Sequence, residues 1–354
     1  MKFTIERAPF IKALNHIQSI VEKRNTIPIL SNVKLTASHN LTITATDLDI
    51  YAIETVNDVA VKEPGTITVS ASLLYDIARK LPDGAQISAE LKDGKLSVKD
   101  GRSRFTLPTI PVDDFPAFPH SEFTAELTLT ADELKLAIDQ TRFAISTEET
   151  RYYLNGIFAH NTPDGITLAA TDSHRLARHV LEVKDEIPDV IIPRKAINEI
   201  YKLLDSDDVD IEISGRFVRF TIGNVVLITK TIDGTFPDYA RVIPKDNDKT
   251  LKIDARQLKF AIDRVTTVST EKTRAVKIIL SNDLLVVSVA SHDNGSGSEE
   301  VPCSWSHGDF EIGFNAVYLR DVLGLFDGDV SMTFKEPGDP MLVDGNFVVM
   351  PMRV

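Results

Sequence analysis

Hydrophobic and polar positions repeat one pattern at three places along the chain. The segments FTIERAPFIKAL, LTLTADELKLAI and LKIDARQLKFAI begin at Phe3, Leu127 and Leu251, 124 residues apart each time. In each segment an alternating start typical of a β-strand leads into apolar residues at helical spacing. The pattern predicts a strand followed directly by a helix, once in each of three similar units.

Each unit also carries a second helical segment, beginning near Ser72, Pro193 and Asn315. Short alternating or β-branched runs lie between the helices, separated by turn signals such as the hairpin candidate Asp93-Gly94. The predicted fold is therefore α+β, with each unit formed by two helices packed on antiparallel sheets. The predicted helices occupy residues 7–23, 72–81, 131–145, 194–204, 255–268 and 316–326.

A period of about 120 residues is too long for stacked solenoid modules, so the repeat indicates tandem domains. Polar or proline-containing stretches predict boundaries that give domains of residues 1–120, 121–247 and 248–354. Hydrophobic residues make up 43 % and charged residues 26 % of the chain, as expected for folded globular domains.

Composition also predicts where the protein works. No apolar run approaches the roughly 18 residues needed to span a bilayer, so no membrane partner is expected. A single cysteine, Cys303, provides no internal disulfide and is typical of a reducing compartment. We therefore expect a cytoplasmic protein.

The net charge of −13 argues against a nucleic-acid partner, because phosphates attract basic surfaces. The distribution of charge changes this picture. The predicted helices carry more Lys and Arg than Asp and Glu, although the chain as a whole is acidic. On a single helix such residues are typical of a solvated surface, but their recurrence in six helices favours a shared basic lining that binds DNA phosphates without reading sequence.

Four motifs carry a family resemblance: RYYLNG from Arg151, ATDSHRLA from Ala170, TFPDYARVIPK from Thr235 and the terminal VVMPMRV. They closely resemble the bacterial β sliding clamps, the DNA polymerase III β subunits. The resemblance implies a head-to-tail homodimeric ring of six similar domains, with helices around a central hole. It implies a processivity factor that encircles double-stranded DNA, catalyses no reaction and needs no cofactor or metal.

The resemblance further implies a pocket that receives short linear peptides from the replicative polymerase, the clamp loader and repair polymerases. Apolar walls with arginines at the rim suit peptide binding. The matching positions are Leu154, Thr171, Ser173, His174, Arg175, Leu176, Pro237, Arg241, Val242, Tyr318, Val348, Met350, Pro351, Met352 and Arg353.

DNA contacts and the dimer interface are also matched by position. The residues matched or proposed for DNA are Lys23, Arg24, Arg79, Arg151, Tyr152, Tyr153, Lys195 and Lys202. Phe105 matches the first-domain side of the dimer contact, and Thr267 and Val268 match the third-domain side. The sequence departs from the family in having Ser173 where relatives often have glycine, and Thr267 where they often have a large aliphatic residue.

Other functions are less consistent with the sequence. Asp172, Ser173 and His174 have the residue types of a hydrolase triad, but three neighbours in sequence do not normally converge as a triad requires. A metal at Asp172 and His174 lacks further ligands, and Gly295-Ser296-Gly297 lacks the remainder of a phosphate-binding loop. A DNA-encircling protein is strongly favoured, and the alternatives are a metal-dependent hydrolase and a repeat-built interaction scaffold that never touches DNA.

Overall fold

The computed structural model describes residues 1–22, 26–118, 121–205, 208–269, 275–291 and 294–354. The chain forms two compact units. Unit 1 comprises residues 1–135 and 183–233, and unit 2 comprises residues 136–182 and 234–354. The central third of the sequence therefore contributes residues to both units.

The described residues form six α-helices that are separated by runs of strands. The α-helices are α1 (Arg7–Ile17), α2 (Ala71–Lys80), α3 (Ala131–Thr141), α4 (Arg194–Leu203), α5 (Ala255–Val265) and α6 (Ala316–Leu323). The strands are β1 (Lys2–Glu6), β2 (Asn32–Ala37), β3 (Leu41–Thr46), β4 (Ile50–Val56), β5 (Val59–Glu63), β6 (Gly65–Ser70), β7 (Gln86–Lys92), β8 (Lys95–Asp100), β9 (Ser103–Ile110), β10 (Ala125–Leu129), β11 (Gly156–Thr162), β12 (Gly165–Thr171), β13 (Arg175–Leu181), β14 (Val190–Pro193), β15 (Val209–Ile213), β16 (Phe217–Ile222), β17 (Val225–Lys230), β18 (Lys249–Asp254), β19 (Ala275–Ser281), β20 (Leu284–Ser291), β21 (Gly295–Pro302), β22 (Phe310–Asn315), β23 (Asp329–Phe334), β24 (Met341–Val343) and β25 (Phe347–Val349).

Unit 1 is organised by one long antiparallel sheet. Its strands lie in the order β10-β15-β16-β17-β4-β3-β2-β6-β9-β8-β7-β1-β5. β17 pairs with β4, with Leu227 opposite Ala52, so strands that are distant in sequence continue one sheet. The buried face of α1, which includes Phe10, Leu14 and Ile17, packs against this sheet and α2.

Unit 2 contains two antiparallel sheets. Seven of its strands hydrogen-bond in the order β11-β12-β13-β25-β24-β23-β18, and four more in the order β21-β20-β19-β22. Helix α5 buries Leu258, Ile262 and Val265 against α6, β20 and β21. This burial confirms the predicted apolar stripe of the third repeat at these three positions.

Every helix begins where a strand ends, as the first pattern predicts for three of them. Short polar side chains stabilise several of these junctions, because the first amides of a helix have no partner within it. Asp254 accepts a hydrogen bond from Gln257 N at 2.8 Å, and Asn315 accepts one from Val317 N at 2.9 Å. The predicted helix starts are correct within one residue.

The predicted helix ends extend too far. Helix α1 ends at Ile17, whereas the prediction continued to residue 23. Ile20 and Val21 are nevertheless buried, so apolar periodicity persisted beyond the helix and misled the prediction. The last residues predicted for the third and fifth helices form short 3-10 turns at Arg142–Ala144 and Thr266–Val268.

The Asp93-Gly94 hairpin is confirmed. Lys92 lies opposite Lys95 across β7 and β8, and both central residues have positive φ, +49° at Asp93 and +70° at Gly94. These values are those of the two-residue turn that matches the twist of an antiparallel pair.

Candidate functional site

The turn between β12 and β13 in unit 2 is organised by the side chain of Asp172. Its Oδ1 accepts hydrogen bonds from His174 N at 2.9 Å and Arg175 N at 3.0 Å, and its Oδ2 accepts one from Arg175 Nε at 3.0 Å. Ser173 has a φ of +74°, in the left-handed region that residues other than glycine seldom occupy. Thr171 Oγ1 accepts from Ser173 N at 3.1 Å and supports this backbone.

The bonding of this turn does not fit a hydrolase triad. The Asp172 carboxylate is bonded to backbone amides and to Arg175, and the Ser173 hydroxyl accepts a hydrogen bond from Arg151 at 2.7 Å. The His174 ring stacks on Tyr318, with 6.2 Å between centroids. The turn thus directs these three side chains to different partners, whereas a triad needs them bonded in series.

Arg175 connects the turn to α6. Its guanidinium bonds Asp172 and Asp321 and lies 4.4 Å from the centre of the Tyr318 ring. Burial raises the pKa of Tyr318, and the nearby Asp172 charge raises it further. Because the Arg175 side chain is only 10 % exposed and already paired, it acts as a support for the surface rather than as an open charge.

The C-terminal residues lie beside the same turn. Strand β25 pairs with β13, which places Val348 opposite Leu176, and both side chains are buried. Met350 N donates to His174 O at 2.9 Å, and the Met350 side chain is 38 % exposed. Met352 N donates to Gly313 O, also at 2.9 Å, and fixes the tail against β22.

The segment that precedes β18 supplies another part of this surface. Tyr239 is buried, and its hydroxyl lies 2.8 Å from His160 Nε2 on β11. A 3-10 turn at Tyr239–Arg241 then directs Arg241 and Val242 outward, where the Arg241 side chain is 84 % exposed. Anchoring by Tyr239 therefore presents an apolar and a cationic side chain to solvent.

The remaining predicted pocket residues divide between the interior and the surface. Leu154 is buried, and its carbonyl accepts from Ser146 N at 3.1 Å. Pro237 and Arg353 are exposed, and Pro351 is half-buried. Arg241 and Arg353 thus remain open to a ligand, whereas Arg175 does not.

A cavity of about 500 Å³ in unit 2 shares Arg241, Val242 and Met350 with the predicted pocket. Its other lining residues were not predicted as pocket residues; four of them lie within the motif TFPDYARVIPK, and the rest carry no periodic pattern or motif. Together they are Ala240, Ile243, Pro244, Lys245, Asp246, Asn247, Lys335, Asp339 and Pro340.

The residues predicted to contact DNA have varied surroundings. Lys23 and Arg24 lie outside the described residues. Arg151 is exposed beside Ser173 and Glu148, and the neighbouring Tyr152 ring is 54 % exposed. Tyr153 is half-buried and makes an edge contact with Tyr152.

The basic residues predicted on helices are paired within the chain. Arg79 lies 3.2 Å from Asp76, and Lys202 lies 2.8 Å from Glu199. Lys195 bonds Asp47 and the carbonyl of Ile20. Asp76 and Glu199 are already included in the helix charge count, so only the pairing of Lys195 with Asp47 reduces the positive field below that count.

The predicted dimer residues occur on two exposed elements. Phe105 lies on β9 and is 36 % exposed, a large value for an aromatic side chain on a strand. Thr267 is exposed and Val268 is half-buried in the turn after α5.

The described residues contain no cluster of three or more His, Cys, Asp or Glu side chains that could hold a metal ion. Cys303 is partly buried, and this burial raises the pKa of its thiol. None of the described helices is long and apolar enough to cross a membrane.

Comparison with known families matches almost the whole chain. Three models of the DNA polymerase III beta subunit match in succession: the N-terminal domain over residues 1–119, the central domain over 128–238 and the C-terminal domain over 240–352. Their order agrees with the three repeats in the sequence.

Individual relatives match over full length. The chain is 44 % identical to the beta sliding clamp of Caulobacter vibrioides and 35 % identical to that of Escherichia coli, with 100 % of each protein covered. A crystal structure of a sliding clamp from Bartonella birtlesii bound to griselimycin is 41 % identical, with a TM-score of 0.96 and 100 % of both chains covered. A Caulobacter crescentus clamp structure is 44 % identical, with a TM-score of 0.95, covering 100 % of this chain and 99 % of that one.

Proposed function

The chain belongs to the DNA polymerase III beta subunit family, and from this membership we propose how it holds its partners. It is a DNA sliding clamp and has no catalytic role. We propose that unit 2 tethers the replicative polymerase, the clamp loader and repair polymerases through short peptides. We further propose that it acts in the bacterial cytoplasm on double-stranded DNA.

The observation that carries the peptide proposal is the convergence of remote segments on one surface of unit 2. Residues from the β12–β13 turn, α6 and the C-terminal tail meet through the His174–Tyr318 stack and the bond from Met350 N to His174 O. Exposed apolar atoms of Val242 and Met350 provide area for a partner, and Arg241 provides a charge. Such a combination is typical of peptide grooves.

Domain boundaries at residues 1–120, 121–247 and 248–354 belong to the same proposal. In this arrangement the central domain has one part in each compact unit. The pairing of β17 with β4 and of β13 with β25 supports it, because each pairing continues a sheet across a proposed boundary.

We propose a head-to-tail homodimer that closes a ring. Two open strand edges support this proposal: residues 103–108 of β9 pair only with β8, and β21 pairs only with β20, among the described strands. Arg104 on β9 and Arg102 in the turn before it are exposed, whereas β21 carries the exposed Glu300 and Glu299, which is paired with Arg264. Two different, complementary edges generate a heterologous contact, which closes into a ring when its rotation allows.

Removing Met350–Val354 tests the peptide site. A fluorescent peptide containing the clamp-binding segment of the cognate polymerase is titrated with the intact and truncated proteins. We expect at least a roughly tenfold loss of affinity with unchanged dimer mass, because the tail forms one wall of the pocket. Unchanged affinity in the truncated protein would remove the tail from the site.

Gly313→Ala provides a milder version of this test. A Cβ at Gly313 would lie 2.5 Å from Met352 O and 2.6 Å from Val354 Cγ1, so the tail must move. We expect peptide affinity to fall about threefold to tenfold. Gly328→Ala is the matched control, because a Cβ there meets nothing within 4 Å.

A further inference from the structure

The 500 Å³ cavity described above, here called the accessory cavity, has two walls built from separate parts of unit 2. One wall is the segment 240–247, and the other is the turn between β23 and β24 that contains Lys335, Asp339 and Pro340. Met350 lines the accessory cavity, and its backbone N donates to His174 O in the proposed peptide pocket. The accessory cavity therefore adjoins the proposed peptide pocket.

The two walls are tied together by hydrogen bonds. Asn247 Nδ2 donates to the carbonyls of Thr333 at 2.8 Å and Pro340 at 3.2 Å. Lys335 pairs with Asp246 across the cavity, and Lys249 donates to Lys335 O at 2.6 Å. These bonds keep the space formed without a ligand, and its volume falls in the range of small-ligand pockets, roughly 300–1,000 Å³.

The chemistry of the lining is apolar on one side and charged at the rim. Val242, Ile243, Pro244, Pro340 and Met350 contribute the apolar surface. The charged lining residues are Arg241, Lys245, Lys335, Asp246 and Asp339.

The rim cations differ in how fully they are paired. The hydrogen bond between Lys335 and Asp246 raises the pKa of Lys335 and lowers that of Asp246, as expected of a matched pair. Lys245 is exposed and has no ion pair or side-chain hydrogen bond with any residue that the structure describes. Arg241 is paired with Asp238 but projects into solvent. An additional negative charge would therefore be attracted most directly by Lys245.

We propose that the accessory cavity binds an acidic residue that flanks the clamp-binding peptide of a partner protein, with its carboxylate at Lys245. This inference rests on the proposed peptide-binding function. It extends recognition beyond the pocket and allows partners with the same core peptide to differ in affinity. The negative charge of Asp339 repels the incoming carboxylate, so the preference for an acidic residue is modest.

The test uses the full-length protein and a panel of fluorescent peptides. The core is the clamp-binding segment of the cognate polymerase, extended at either end by Glu-Glu, Gln-Gln or Lys-Lys. We expect Glu-Glu at one end to bind about threefold to fivefold more tightly than Gln-Gln at 50 mM NaCl. We expect the difference to shrink at 500 mM NaCl, because salt screens exposed charges.

Two substitutions in the accessory cavity should act in opposite directions. Lys245→Gln abolishes the preference for Glu-Glu, and Asp339→Asn increases it, while both leave affinity for the unextended core unchanged. Lys252→Gln is the matched control, since Lys252 is exposed on β18 and does not line the accessory cavity. A general loosening of the surface would weaken the binding of all peptides. It would not make the two substitutions change the preference for Glu-Glu in opposite directions.

The outcomes separate this inference from the function on which it rests. Equal affinities for all extensions, or an effect of Lys252→Gln equal to that of Lys245→Gln, overturn the accessory site alone. Failure of the unextended core to bind overturns the peptide pocket, and the accessory site with it.

Discussion

At the residue scale, the backbone of Ser173 shows how the site uses an unfavourable conformation. Its positive φ lets the Asp172 carboxylate accept hydrogen bonds from the two amides that follow Ser173 and directs Arg175 towards Tyr318. The Ser173 hydroxyl also accepts a bond from Arg151, which ties the turn to a residue predicted to contact DNA. A small polar side chain thus offsets part of the backbone strain.

The stability of variants at Ser173 should depend on how easily the new residue adopts a positive φ. Ser173→Ala keeps the strain and loses the hydroxyl, whereas Ser173→Gly removes the strain. We expect the free energy of unfolding to be about 1 kcal/mol lower for the alanine variant than for the glycine variant, measured by urea denaturation. Equal stability of the two variants would mean that residue 173 is not left-handed in solution.

The sequence identified candidate residues of the proposed site but not their state of pairing. Arg175 matched the family motif, yet its bond to Asp321 on α6 depends on tertiary packing that no local pattern reports. Lys335 and Asp339 carried no signal at all. They reach the accessory cavity because Asn247 joins two segments that are 86 to 93 residues apart in sequence.

At the scale of elements, β13 joins the proposed peptide surface to the rest of unit 2. Its first residue, Arg175, lies in that proposed surface, and further along the strand His179 Nδ1 donates a hydrogen bond to Gln140 Oε1 of α3 at 2.7 Å. Burial lowers the pKa of His179 below 6.5.

The pKa of His179 predicts a dependence of stability on pH. The imidazole of His179 binds a proton more tightly in the unfolded chain than in the folded protein. The contribution of neutral His179 to the free energy of unfolding is therefore fully present above about pH 6.5 and is lost as the pH falls towards the pKa of the folded state. We expect His179→Gln to lose less stability than the parent protein between pH 7.5 and 5.5 in urea denaturation. An identical pH profile for both proteins would contradict the shift.

Helix starts were predictable and helix ends were not, for a physical reason. Starts follow strands directly and are marked by residues such as Asp254 and Asn315 that cap free amides. The end of α1 carries no such mark, and the buried Ile20 and Val21 continue the apolar pattern in a non-helical turn.

At the scale of the whole molecule, sequence repeats and compact units divide the chain differently. The sequence repeat defines three similar segments, whereas the two compact units are defined by which strands hydrogen-bond to each other. The pairing of β17 with β4 joins part of the central segment to unit 1. Periodicity within one segment contains no information on which strands of two segments pair.

The open edges predict how the dimer responds to charge. Arg104→Glu places an acid on the β9 edge, opposite the acidic β21 edge proposed for the partner protomer. We expect the dimer dissociation constant to rise about tenfold in analytical ultracentrifugation, because like charges across an interface repel. Adding Glu300→Lys should recover part of the loss, and Lys80→Glu on α2 should leave the dimer unchanged.

As a sliding clamp, the protein is expected to hold DNA by encircling it. The direct measurement loads it onto nicked circular plasmid with a cognate clamp loader and then compares retention before and after the plasmid is linearised. A ring that binds phosphates weakly and without sequence preference stays on circles and slides off linear ends. Equal loss from circular and linear DNA, with loading demonstrated, would contradict encirclement and favour a scaffold that does not enclose DNA.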